Sequence, residues 1–81
     1  MKIYVIEDNT VYNEYVCNLL KKGGFKTEQA YHLNTAKKLL TKIGDDDIVL
    51  ADLRLPEGDS IELLRWMRKN EMRHPLIVMT N

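Results

Sequence analysis

The sequence predicts an α/β fold built on a parallel sheet, and three observations carry that expectation. Strand-like and helix-like runs alternate strictly, as βαβαβαβ, along 81 residues. The runs at 2–6 and 48–51 are almost wholly apolar, as strands covered on both faces are. Polar residues then follow the strand ends: Glu7 and Asp8 after the first, Asp52 after the third, and Thr80 after the fourth. Parallel strands all point the same way, so residues past their C-terminal ends share one rim, where such sheets bind ligands.

Each element has its own local reason. Residues 2–6 are mostly β-branched and aromatic, the composition of a buried strand. Thr10–Lys22 is helical: Val11, Tyr15 and Leu19 form one i, i+4 column, and Tyr12, Val16 and Leu20 the next. Asn9 or Thr10 caps its start, and Lys21-Lys22 before Gly23-Gly24 ends it. Residues 25–30 alternate weakly, as an edge strand does. Asn34 is the expected cap of a second helix, with Ala36, Leu39, Leu40 and Ile43 on its buried face and Gly44 as its stop. Asp45, Asp46 and Asp47 form a solvated turn, not a calcium loop, because the rest of a ligand loop is missing. Residues 53–58 contain Pro56 and Gly58 and read as a loop. Asp59 or Ser60 opens a third helix, with Glu62 completing a capping box with Asp59. Its buried face is Ile61, Leu63, Leu64 and Met67, and Pro75 precedes the last strand. One domain spans 1–81.

Composition narrows the function classes. The chain is 44% hydrophobic and 30% charged, an ordinary globular balance. Twelve basic residues match twelve acidic ones, so no global field favours nucleic acid or an anionic membrane. Local basic groups at Lys21-Lys22, Lys37-Lys38 and Arg65, Arg68 and Lys69 fit solvated helix faces and C-termini. No run reaches membrane-spanning length, and no leader pattern precedes the first strand, so a cytoplasmic location is expected. The single cysteine, Cys17, excludes an intramolecular disulfide and lies in an apolar helical pattern, as a buried small hydrophobe. His32 and His74 have no partner at metal-ligand spacing and read as surface residues. Trp66 reads as packing on the sheet or on a partner.

Carboxylates gathered on one rim make a hard-oxygen cation site. At this point the residues resemble a known family. Glu7-Asp8 after strand one resembles the acidic pocket of response-regulator receiver domains of two-component signalling systems. Asp52 followed by Leu53, Arg54, Leu55, Pro56 and Gly58, and Thr80 after strand four, fit the same pattern. Three motifs in register are specific where one alone is weak. The stretch 52–60 looks most like receivers of the nitrogen-regulation type attached to sigma-54-dependent activators.

The resemblance implies a flavodoxin-like receiver fold with strand order 2-1-3-4. It implies that Asp52 is the phospho-acceptor. Glu7, Asp8, Asp52 and the backbone carbonyl of Arg54 would hold Mg²⁺, Glu7 through water. The Thr80 hydroxyl would hydrogen-bond the phosphoryl group. The implied partner is a sensor histidine kinase or phosphotransfer protein, in a phosphorelay serving transcription regulation. No turnover enzyme is implied, and no direct nucleic-acid binding by this chain.

The family's domain continues with a helix, a fifth strand and a final helix, which these 81 residues do not supply. The family's strand-five lysine and aromatic switch residue are missing with them, and Asn81 stands where a small residue is usual. The expectation that follows is an exposed sheet edge at strand four and a homo-oligomer formed through it. An incomplete receiver acting as a dimerisation or interaction module without phosphorylation is the alternative. A phosphohydrolase of the haloacid-dehalogenase-like type wants a second Asp two residues after the nucleophile, where this sequence has Arg54.

Overall fold

A computed structural model describes residues 1–80. Asn81, which stands where the family usually has a small residue, lies outside the described residues. The elements are β1 (Lys2–Ile6), α1 (Thr10–Lys22), β2 (Lys26–Ala30), α2 (Leu33–Leu40), β3 (Ile48–Asp52), β4 (Arg54–Leu55), β5 (Gly58–Asp59), α3 (Ser60–Lys69) and β6 (Leu76–Met79). β6 is the strand that the sequence counts as fourth. The main sheet is parallel throughout, in the order β2-β1-β3-β6, which is the expected 2-1-3-4.

Side-chain alternation along β1 divides the core in two. Ile3 and Val5 point to one face and pack with Cys17 of α1. Tyr4 and Ile6 point to the other, where Leu33, Ala36 and Leu40 of α2 and Leu63 and Met67 of α3 cover them. Trp66 packs against this second cluster, with the Lys37 ammonium 5.8 Å from its ring centre. Cys17 is buried, as its helical pattern predicts.

The helix ends show which sequence signals hold. The Asn9 side chain accepts the Tyr12 N–H at 3.0 Å and caps α1. At the other end Gly24 donates to the Lys21 carbonyl and Phe25 to that of Leu20. That pattern needs a left-handed residue, and Gly24 supplies it at φ 92°. The Asp59 side chain caps α3 by accepting the Glu62 N–H at 2.9 Å. α3 closes with the same C-terminal pattern, Glu71 to Arg68 and Met72 to Met67. Glu71 therefore holds the left-handed position at φ 62°, costing about 1 kcal/mol relative to glycine.

Several expectations are corrected. Asn34 lies inside α2 and does not cap it. The cap residue is His32, and the first N–H is met from a distance, by Glu57 Oε1 accepting from Leu33 at 2.7 Å. α2 ends at Leu40 rather than at Gly44, and the chain turns through residues 41–44. Residues 53–58 are not simply a loop. β4 and β5 pair antiparallel, Arg54 opposite Asp59 and Leu55 opposite Gly58, around a two-residue turn at Pro56 and Glu57. Of the two columns on α1, which periodicity leaves unassigned to a face, Val11, Tyr15 and Leu19 form the exposed one, and the buried residues of α1 are Asn13 and Cys17. Ile61 is exposed too, because α3 packs through Ser60, Leu63 and Met67, at i, i+3 and i+7.

Asp47 is the largest departure from a solvated turn. Asp45 and Asp46 are exposed, but Asp47 is buried and joins two segments. One carboxylate oxygen accepts the Lys2 N–H at 2.8 Å and the other the Gly44 N–H at 2.7 Å. Burial alone would raise its pKa. The two N–H groups, with the positive charges of the N-terminus and Lys2, outweigh burial and hold it below the ordinary aspartate value. A depressed carboxylate pKa stabilises the fold above the unfolded value, and that stability is lost as pH falls through the folded one. Asp47→Ala is therefore expected to lower unfolding free energy at neutral pH by about 2 kcal/mol, since hydrogen bonds to a charged group are lost. Urea titration checks this. The gap between parent and variant should narrow as pH falls below the ordinary aspartate range.

Candidate functional site

Register places the acidic residues. Ile6 of β1 lies opposite Ala51 of β3, so Glu7 follows at the level of Asp52. Asp52 lies opposite Met79 of β6, and Thr80 is the next residue. β1, β3 and β6 thus end together, each followed by or ending in a polar side chain at its tip. One carboxylate oxygen from each of Glu7, Asp8 and Asp52 lies within 4.8 Å of the others. Asp52, Leu53, Arg54 and Thr80 line a cleft of about 240 Å³ beside them. A second cleft is lined by Leu53, Arg54, Leu55, Gly58 and Asp59. Every residue that the sequence nominated for the site lies in the cluster or along the first cleft.

The three carboxylates differ in environment. Glu7 is buried, Asp52 half-buried and Asp8 exposed. Glu7 is held from two sides. Its N–H donates to the Ala30 carbonyl at 3.0 Å, and its Oε2 accepts the Asn9 N–H at 2.8 Å. Burial pushes the Glu7 carboxyl above its usual range, and the neighbouring Asp8 and Asp52 carboxylates add to that. The Asn9 N–H opposes the rise without cancelling it. Among the described residues none of the three carboxylates forms an ion pair. Converging, uncompensated carboxylate oxygens are the donor set that a hard divalent cation takes.

The chain after Asp52 is tied down as well. Leu53 donates to the Met79 carbonyl, and Ser60 donates to that of Leu53. Glu57, at the hairpin turn, caps α2 and stands 3.6 Å from His32 Nδ1. Sequence reading missed this link, because Glu57 and Leu33 are far apart along the chain. His32 is exposed, as expected. His74 is only half-buried, with Nε2 2.8 Å from the Gly44 carbonyl, so this ring nitrogen donates. The surface reading of His74 is corrected to a tie between the approach to β6 and the turn before β3.

A doubly covered parallel sheet carrying an acidic cluster at the C-terminal ends of β1 and β3 defines a class of α/β protein with a cation-ready rim. The response regulator receiver domain model matches residues 3–81, and the chain belongs to that family. It is 35% identical over 79 residues to the regulatory protein AtoC of Escherichia coli K12, covering 98% of this chain and 17% of that protein. It is 33% identical over 82 residues to the transcriptional regulatory protein PmrA of Pectobacterium parmentieri, covering 99% of this chain and 36% of that protein. The chain therefore spans well under half of either relative. Among solved structures, the MaeR response regulator bound to beryllium trifluoride superposes with a TM-score of 0.86 at 30% identity, covering 99% of this chain and 66% of that one. Full-length FixJ from B. japonicum superposes with a TM-score of 0.89 at 29% identity, covering 98% and 38%. The flavodoxin-like receiver fold and the two-component family assignment follow. Among the described residues no helix is long and apolar enough to cross a membrane.

A raised carboxyl pKa has a definite sign in stability. The folded state holds the Glu7 proton more tightly than the unfolded one. That contribution is complete below the ordinary glutamate value and is lost as pH rises through the raised value. At neutral pH, without divalent cations, the charged Glu7 therefore weighs against folding. Glu7→Gln is expected to stabilise the chain there, because it removes the charge that burial and the neighbouring carboxylates disfavour. The gain should vanish at acid pH, where the parent's own carboxyl is protonated. Thermal unfolding across pH in a chelator checks both parts.

Proposed function

We propose that this chain is a phospho-accepting receiver that takes a phosphoryl group onto Asp52 from a phosphohistidine on a sensor kinase or phosphotransfer protein. The observation that carries the reading is the convergence of Glu7, Asp8 and Asp52 beside a cleft that Asp52, Arg54 and Thr80 line. An Asp52 carboxylate oxygen would form the new O–P bond as the P–N bond to the donor imidazole breaks. The electron pair stays on that nitrogen, which ends protonated. Half-burial leaves Asp52 reachable by a donor side chain.

Asp8 and Asp52 would hold Mg²⁺ through carboxylate oxygens, Glu7 through water, with the Arg54 carbonyl completing the set. A cation bound there would offset the charge that develops on the transferring group. The Thr80 hydroxyl, at the tip of β6, would donate a hydrogen bond to a phosphoryl oxygen. This is a signalling modification with no turnover of a small substrate. Cytoplasmic location, an output in transcription and a single domain over 1–81 belong to the same proposal. They are supported by the family and by the names of the relatives.

Intact mass after incubation with a small-molecule phosphodonor and Mg²⁺ tests the reading. The parent should gain one phosphoryl group, and Asp52→Asn none. A folded parent that binds Mg²⁺ without any gain would overturn it and favour the interaction-module alternative. Ile77 and Val78 on β6 are exposed, and β6 pairs on one side only, with β3. They support a homo-oligomer formed through that edge by these 81 residues. Light scattering should give a mass that rises with concentration; a constant monomer mass rejects the oligomer.

A further inference from the structure

A buried amide lies directly behind the acidic cluster. Asn13 is fully buried in α1, four residues after the capping Asn9. Its Nδ2 lies 3.0 Å from the carbonyl of Glu7, 3.2 Å from that of Ala30 and 3.4 Å from that of Val5. One NH₂ group has two hydrogens, so the two shorter contacts are the strong ones and the contact to Val5 is marginal. Its Oδ1 accepts from Gln29 Nε2 at 2.9 Å and from Cys17 Sγ at 3.5 Å. Backbone carbonyls can only accept, so they fix which way the amide faces: the nitrogen points at them and Oδ1 at Gln29 and Cys17.

These partners belong to three segments. Glu7 is the first residue past β1, Ala30 is the last of β2, and Asn13 rides on α1. The Ala30 carbonyl also accepts the Glu7 N–H, so the Glu7 peptide is gripped at both its polar ends. With backbone N–H and C=O both committed, the direction of the Glu7 side chain is fixed at its Cα. A buried polar group costs a few kcal/mol unless it is bonded, so its presence in an apolar helix stripe calls for a reason.

We infer that Asn13 is a positioning residue whose amide holds Glu7, and through Glu7 the acidic cluster, in the geometry that receives a divalent cation. The inference rests on the cation-site reading above. Groups that orient metal ligands from behind typically cost 10- to 100-fold in affinity when removed.

The test compares three variants of the 81-residue chain. Asn13→Leu keeps the branched shape, with some added volume, and removes both polar atoms. Gln29→Val removes only the partner that orients the amide, and it lies on a strand where β-branching is tolerated. Leu40→Ala cuts the opposite core and serves as a control that destabilises without touching the loop. Mg²⁺ affinity is read by calorimetry, and backbone amide exchange is read at Glu7 and Asn9. Asn13→Leu should weaken Mg²⁺ binding about tenfold. It should also speed exchange at Glu7 and Asn9 beyond what Leu40→Ala shows. Gln29→Val should shift both readouts the same way, by less. Mg²⁺ affinity within twofold of the parent in a folded Asn13→Leu chain, or equal exchange in Asn13→Leu and Leu40→Ala, overturns the inference. If Asn13→Leu does not fold, Gln29→Val decides by the same criteria. A parent that binds no Mg²⁺ removes the cation-site reading and the inference's function together. Retained amide protection would then overturn even the local restraint.

Discussion

The pairing of β1 with β3, with Ile6 opposite Ala51, is the constraint on which the other features depend. Both strands are central, so their side chains alternate between two covered faces and a slip by one residue would invert every one of them. The same register decides where the strands stop. Glu7, Asp8 and Asp52 come together because the strands that carry them are parallel and end level. The price is like-charge repulsion. At 4–5 Å that is roughly 1 kcal/mol per pair in water and several times more near a protein surface. Each fully buried aliphatic side chain contributes about 1.5–3 kcal/mol, and Ile6, Val49, Leu40 and Leu63 are only part of the cluster beneath the rim. Packing therefore decides the geometry, and the carboxylates have to accept it.

The two faces of the sheet are not equivalent. The face under α2 and α3 is a dense apolar cluster, and it closes at the rim through Glu57, which carries the hairpin after Asp52 onto α2. The face under α1 is thinner, and part of it is polar. Asn13 occupies the point where a larger apolar side chain could have packed. α1 thus trades some burial for a fixed peptide at Glu7, and it keeps Val11, Tyr15 and Leu19 in water on its far side.

Helix number and the acidic cluster were legible in the sequence because each follows from a strong local pattern, whereas strand order came only from the family resemblance. The continuous apolar runs at 2–6 and 48–51 mark central strands, and whatever follows them must lie on the rim. Features that depend on distant partners were not legible. The α2 cap was sought at Asn34, yet a carboxylate 24 residues away supplies it. Periodicity placed Val11, Tyr15 and Leu19 in a column without saying which column faces the sheet. Asn13 was missed, although a signal existed: it sits three residues before Val16 and four before Cys17, on the same stripe that is buried. A polar residue at the centre of an apolar stripe must find partners inside.

Asp47 and Asp52 show why residue type alone could not separate structure from function. Both are aspartates flanking β3, one just before it and one at its end. Before a parallel strand the chain presents free N–H groups, and Asp47 is met by two of them and by nearby positive charge. At the other end, among the described residues, no N–H donates to the Asp52 carboxylate, and its neighbours there include the carboxylates of Glu7 and Asp8. β3 thus carries one aspartate before it that is met by N–H groups and one at its end that is grouped with other carboxylates. The acidic cluster therefore depends on the common direction of the strands as much as on the carboxylates themselves.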